Sequence, residues 1–281
     1  MQNNKDYLNK TLIRSILFAF FICYSFYLIS CKNSKPEQAI KERTIPQFVY
    51  KSGAIVRGDT SEKKLALVFT GDEFADGGQY ILSVLKQQRV SGSFFFTGRF
   101  YRNPDFEQLI HSLLSEGHYL GAHSDQHLLY CDWENHDSLL VTHNEFINDL
   151  ENNYKEMNSF GISKKSAPYF LPPYEWYNDT ISSWTKSLDL QLINYTFGTL
   201  SHADYTTPEM PNYKSSELIY QNIVNFEKKS KNGLNGFVLL IHIGTAPERK
   251  DKFYFHLEEL IMELKKKDYH FEIIIQLLNR E

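Results

Sequence analysis

Cysteine is scarce: Cys23, Cys31 and Cys131 are the three in 281 residues. The first two lie in an N-terminal stretch with the marks of a leader, which would leave Cys131 as the only free thiol of the mature chain. An internal disulfide is then excluded, and the fold must rest on its own core. Neither sign of charge is in excess. Lys and Arg number 30 against 34 Asp and Glu, for a formal net charge of −4. The cations are scattered rather than striped, which argues against a nucleic-acid footprint. There is no internal repeat and no low-complexity tract. The longest uncharged apolar stretch, Ser15 to Ile29, is fifteen residues, short for a membrane span and the right length for the hydrophobic region of a signal.

What is present suits a large domain. Apolar residues make up 42%, enough for a sizeable core in one large domain or two small ones. Aromatics reach 15%, with 18 Tyr and 21 Phe; such rings line sugar-binding clefts and equally fill cores. Lys5, Lys10 and Arg14 give a positive start, and the apolar stretch ends in Leu28-Ile29-Ser30-Cys31. That end resembles a bacterial lipobox, in which cleavage leaves an acylated cysteine. The expectation is a signal over 1–30, lipidation at Cys31, a polar tether and lead-in over 31–62 with an edge strand near Phe48 to Tyr50, and a folded domain over 63–281. It places the protein in the bacterial envelope, facing the periplasm or the outer surface. A signal anchor with a chance cysteine is the alternative.

From Lys64 the pattern alternates. Lys64 to Thr70 is a near-continuous apolar run, which fits a strand buried on both faces. Further strands are predicted at 92–97, 118–122, 166–170, 191–196, 236–242 and 270–275. Helical spacing falls between them at 79–88, 104–117, 142–160, 178–188, 215–230 and 256–267. Seven strand–helix units argue for a parallel sheet, more a barrel than an open sheet. In such barrels chemistry sits where strands end. The polar residues obey that rule: Asp72 and Glu73 follow the first strand, His123 and His127 the third, Tyr174 and Glu175 the fourth, Asp204 the fifth, and His242 ends the sixth.

His123 and His127, four apart in a turn after a strand, can grip one cation. Read alone, such a pair is as well explained as surface histidines. Cys131 nearby is a third ligand or, more simply, a small buried apolar filler. In order along the chain stand Thr70-Gly71-Asp72-Glu73-Phe74, His123-Ser124-Asp125-Gln126-His127, Leu171-Pro172-Pro173-Tyr174-Glu175, Ala203-Asp204-Tyr205 and Leu239-Leu240-Ile241-His242. Together these five segments resemble the ordered motifs of the polysaccharide deacetylases, the NodB-homology domain of carbohydrate esterase family four. The resemblance covers roughly 63–278.

It implies an α/β fold, an irregular (β/α)7 barrel, and a metal-dependent hydrolase that removes acetyl groups from a carbohydrate. It implies a divalent ion, zinc being the expected one, on Glu73, His123 and His127. Asp72 would be the general base, Asp204 would orient His242 as general acid, and the backbone N–H of Tyr174 would serve the oxyanion. The substrate implied is an acetylated glycan. Three departures stand out: Glu73 where the family has Asp, Leu171 where it has an arginine that orients the base, and Glu175 where it has Gly. Glu175 is then either a polar residue of the cleft or a solvent residue. The departures keep open a catalytically silent glycan-binding protein on the same scaffold, and a metal-dependent hydrolase of a non-sugar amide or ester. Trp133, Trp176 and Tyr177 lie beside the motif segments, where they would stack on sugar rings or cap the barrel. His111, His118, His136 and His143 match no motif.

Overall fold

Strand β3 (Lys64–Gly71) is the hub of the sheet, and all of it after Lys64 is buried. The computed structural model describes residues 47–279; the signal, the lipobox and Cys31 lie outside them. β8 (Phe237–His242) runs along one edge of β3 from Leu65 to Thr70. The other edge is shared: β9 (His270–Phe271) pairs at Lys64 and Leu65, and β4 (Ser93–Phe96) from Val68 onward. Outward from β4 come β5 (Tyr119–Ala122), β6 (Tyr169–Phe170) and β7 (Gln191–Leu192), giving the order β7-β6-β5-β4-β3-β8. All seven strands are parallel. Parallel pairing needs helices on the outer face, and they are supplied by α1 (Gly78–Gln88), α2 (Gly98–Arg102), α3 (Glu107–Ser115), α4 (His143–Ser159), α5 (Asp179–Ser187), α6 (Ser216–Lys229) and α7 (Leu257–Lys266). α4 starts on a full capping box between Thr142 and Glu145, a Thr-x-x-Glu signal visible in the sequence. Among the described residues, no helix is long and apolar enough to cross a membrane.

The predicted barrel is a curled sheet that does not close by direct strand pairing. The gap between β7 and β8 is filled by a segment assigned above to the tether. Val49–Lys51 (β1) and Ala54–Arg57 (β2) form an antiparallel hairpin, and Ala54, Ile55 and Val56 are buried in the core. Ile55 bridges Ile193. The chain after β7 then leans on β8, with the Thr196 N–H donating to the Val238 carbonyl at 2.9 Å. The folded domain therefore begins before residue 63.

Three predicted strands are shorter than their apolar runs, and the one expected over 191–196 keeps only Gln191–Leu192. Ser163 and Ser166 bond each other's backbone in a turn, a local alternative to the ladder, so β6 starts only at Tyr169. After Phe271 the run continues as a short helix, α8 (Ile274–Leu277), with Ile274 and Leu277 buried at helical spacing. A short apolar run is compatible with either structure, and the docked face decides.

Candidate active site

The segment after β5 is pinned from several sides. The His123 N–H donates to the Phe96 carbonyl (3.2 Å) and to Asn153 Oδ1 (2.9 Å). The Gln126 N–H donates to Asp149 Oδ1 at 2.8 Å, and Arg102 pairs with buried Asp125. Ser124 and His127 adopt left-handed φ of 73° and 56°, and Ser124 Oγ accepts from the His127 N–H at 2.9 Å to close the turn. The turn brings the two imidazole centroids to 5.1 Å. His123 Nδ1 donates to the Leu171 carbonyl at 2.8 Å, which fixes the tautomer and leaves Nε2 with its lone pair. Leu171 lacks the guanidinium of the family, yet its backbone orients the first histidine.

Burial, reinforced by His127, holds the His123 pKa well below the usual histidine range against the pull of the Leu171 carbonyl. Burial likewise lowers His127 to about 4, opposed by the charge of Asp72. Both rings are therefore neutral at pH 7, the form that ligates metal.

The carboxylates at the end of β3 behave differently. Asp72 Oδ1 accepts from Thr97 Oγ1 (2.8 Å) and Arg99 Nε (3.1 Å), and Arg99 Nη2 pairs with Oδ2. Thr97 is also the N-cap of α2, accepting from the Phe100 N–H. Glu73 leans outward: its side chain is 63% exposed and lies 3.9 Å from Arg99 Nη1. Among the described residues, no three His, Cys, Asp or Glu side chains converge closely enough to hold an ion. The histidine pair suits a divalent cation in chemistry and protonation, but Glu73 does not stand with it as the third ligand. Cys131 is fully buried and does not line the cavity. Burial pushes its thiol up to about 11, so it is the apolar filler.

Asp204 grips His242 with both oxygens. His242 Nδ1 lies 2.6 Å from Oδ1, and the His242 N–H donates to Oδ2 at 2.9 Å. Burial lowers the His242 pKa, but the charge and hydrogen bond of Asp204 together with the charge of Glu175 outweigh it, and the net shift is upward. Nδ1 is committed to Asp204, which leaves Nε2 for the cavity. His202, which no motif signalled, stacks on Tyr195 with centroids 4.3 Å apart, and burial lowers it to about 4.

Tyr174 and Glu175 both take left-handed φ, 58° and 52°. The Tyr174 N–H has no partner among the described residues, as an oxyanion donor requires. A non-glycine residue in this conformation costs about 1–2 kcal/mol. Replacing Glu175 by Gly relieves this, less the roughly 0.5–1 kcal/mol of extra chain entropy that Gly loses on folding, so a net gain of about 1 kcal/mol is expected to raise the thermal midpoint by about 2–4 °C; calorimetry of the two proteins checks it.

These groups line one cavity of about 930 Å³, within the range of ligand sites. Trp133, Trp176 and Tyr174 form its aromatic wall, with Trp133 5.4 Å from Trp176 and 5.6 Å from Tyr174. Trp133 is 55% exposed, whereas Tyr177 is buried and its hydroxyl ties the β1–β2 hairpin at the Lys51 carbonyl. His136 packs on Trp176 at the cavity edge; His118 is buried, its Nδ1 accepting from the Gly92 N–H. The sequence reading missed Arg99, although a cation just past the end of β4 is the position where a barrel strand delivers function.

Residues 57–193 match the family described as Polysaccharide deacetylase. Over that segment the chain is similar to the polysaccharide deacetylases. It is 26% identical over 246 residues to the peptidoglycan-N-acetylmuramic acid deacetylase PdaA of Bacillus subtilis, covering 88% of this chain and 82% of PdaA. The solved structure of PdaA, described as a family 4 carbohydrate esterase, superposes with a TM-score of 0.59 over 80% of this chain and 85% of PdaA. A peptidoglycan-N-acetylglucosamine deacetylase of Bacillus cereus is 26% identical over 220 residues, 78% of this chain and 89% of the relative. A CE4 family pseudoenzyme of Bacillus anthracis shares the fold, with a TM-score of 0.63 at 17% identity over 82% of this chain and 70% of the other. The expected class, a carbohydrate deacetylase with a curled parallel α/β fold, is met at the level of the family.

Proposed function

We propose that this deacetylase domain hydrolyses acetyl groups from a glycan of the peptidoglycan type with the help of a divalent metal. The observation that carries the reading is that neutral His123 and His127 share one cavity with Asp72 and with His242, which buried Asp204 holds from behind. His123 and His127 would hold the ion. Glu73, exposed at the rim and tethered among the described residues only by its long ion pair to Arg99, is the carboxylate available to complete the set. The ion supplies Lewis acidity, which makes water acidic and polarises a carbonyl. Asp72, held by Thr97 and Arg99, takes the proton from the attacking water. The Tyr174 N–H donates to the oxyanion. His242, protonated and oriented by Asp204, gives its proton to the departing amine or hydroxyl, and acetate leaves. The sequence signals at 1–31 support a lipid-anchored protein of the bacterial envelope.

Acetate release from a panel of acetylated glycans, with zinc supplied, tests the reading; no acetate from any member overturns it. The outward Glu73 favours a second reading, a silent glycan-binding protein. Saturable binding without acetate, in a protein that retains no metal, would establish that instead.

The Asp204–His242 pair sets the alkaline limb. The active form of His242 is protonated, and its pKa is raised, so activity is lost as pH rises through that pKa. Asp204→Asn removes the charge that raises it and is expected to move the limb to lower pH. A lost charge-assisted hydrogen bond also costs roughly tenfold to a hundredfold in kcat. A kcat–pH profile of the two proteins checks both.

A further inference from the structure

Pro172 and Pro173 end β6 and turn the chain, and the left-handed Tyr174 and Glu175 follow. The Glu175 carbonyl accepts from Asn194 Nδ2 at 2.7 Å, and the Tyr174 ring lies on His127 with centroids 4.4 Å apart. The segment is thus fixed on both sides, and Glu175 projects from a rigid base on the cavity wall. Its carboxyl interacts with the charges of His242 and Asp204, and burial pushes it up to about 7. Among the described residues, none gives that carboxyl a hydrogen bond. Among those lining the cavity, Lys51 is the only Lys or Arg, and its exposed ammonium sits over the Phe197 ring at 4.3 Å. A half-buried carboxyl without a donor is costly until a ligand supplies one. The chain keeps it there in a backbone conformation that favours glycine.

We propose that Glu175 sets the sugar specificity: it accepts hydrogen bonds from the hydroxyls of a neutral N-acetylglucosamine-type residue and rejects a residue that carries a carboxylate next to its acetamido group. This rests on the deacetylase reading. His242 Nε2 meets the departing nitrogen, so its neighbour Glu175 meets substituents on the adjoining ring carbons. In N-acetylglucosamine the adjoining group is a hydroxyl, a good donor to a carboxylate. In N-acetylmuramic acid it is an ether ending in a carboxylate, which would face Glu175 with Lys51 as the only Lys or Arg among the described lining residues, and that ammonium is engaged with the Phe197 ring. Similarity does not decide between the two, because the relatives named for each sugar are both 26% identical to this chain. With Glu175 ionised, the selectivity comes as much from the repulsion as from the attraction, so binding is compared above pH 7.

The test is calorimetric binding of two probes to purified protein supplied with zinc, with acetate release measured in parallel. One probe is a neutral tetramer of N-acetylglucosamine; the other is an alternating N-acetylglucosamine–N-acetylmuramic acid tetramer without peptide. The wild type is expected to bind the neutral tetramer roughly tenfold tighter or more, and the isosteric but uncharged Glu175→Gln to bring the two within about threefold. Glu175→Gly, which relieves the backbone, is expected to narrow the ratio in the same way and serves if Glu175→Gln does not fold. Preference for the muramic tetramer, an unchanged ratio in the variants, or no binding of either probe overturns the proposal. Binding with the expected preference but no acetate sinks the deacetylase reading and leaves the specificity standing.

Discussion

Stripping divalent metal from the purified protein with a chelator is expected to cut acetate release about a thousandfold or more, and zinc is expected to restore it. A Lewis acid at a carbonyl supplies several kcal/mol of transition-state stabilisation, and each 1.4 kcal/mol or so is a factor of ten. The two histidines are prepared for an ion before one arrives. Burial keeps both imidazoles neutral, and the Leu171 carbonyl fixes the His123 tautomer. Protons compete for His127 only near pH 4, so metal retention measured by elemental analysis should be flat from pH 7 to about 5. His123→Ala is expected to lose the metal and the activity together. Full acetate release from metal-free protein would refute the metal dependence and leave Asp72 and His242 to act without it.

The histidine turn was legible because two local signals coincide there: a short apolar run that ends as a strand, and a spacing that one turn converts into proximity. β3 was legible for a similar reason, since a strand buried on both faces writes an apolar run. Asp204 was a weaker match, yet its two oxygens meet the backbone and ring of His242. What the sequence did not disclose depends on distance along the chain. Ala54–Arg57 is a four-residue strand whose distant partners are Ile193 and Thr196, and nothing local separates it from a tether. Arg99 reaches Asp72 across 27 residues, a pairing that only the β3–β4 ladder creates. The pose of Glu73 was illegible for another reason: an exposed carboxylate held by one long ion pair to Arg99 is not positioned by its local sequence.

Asp72→Asn is expected to lower kcat about 100- to 10,000-fold, the usual contribution of a general base, with KM little changed. The substitution keeps shape and removes the proton acceptor. It also creates a local conflict that must be separated from the chemistry. Thr97 Oγ1 and Arg99 Nε both donate to Oδ1, and Arg99 Nη2 donates to Oδ2, so the new NH₂ must point at a donor. A mispaired group of this kind costs up to about 1–3 kcal/mol when buried. Asp72 is only half-buried, so the cost is smaller and the thermal midpoint should fall by a few degrees at most. Asp72→Ala removes the conflict and should be as inactive while melting nearer the wild type. If both variants release acetate at rates within about tenfold of the wild type, the proton is taken elsewhere, and the fork of Arg99 on Asp72 serves structure alone.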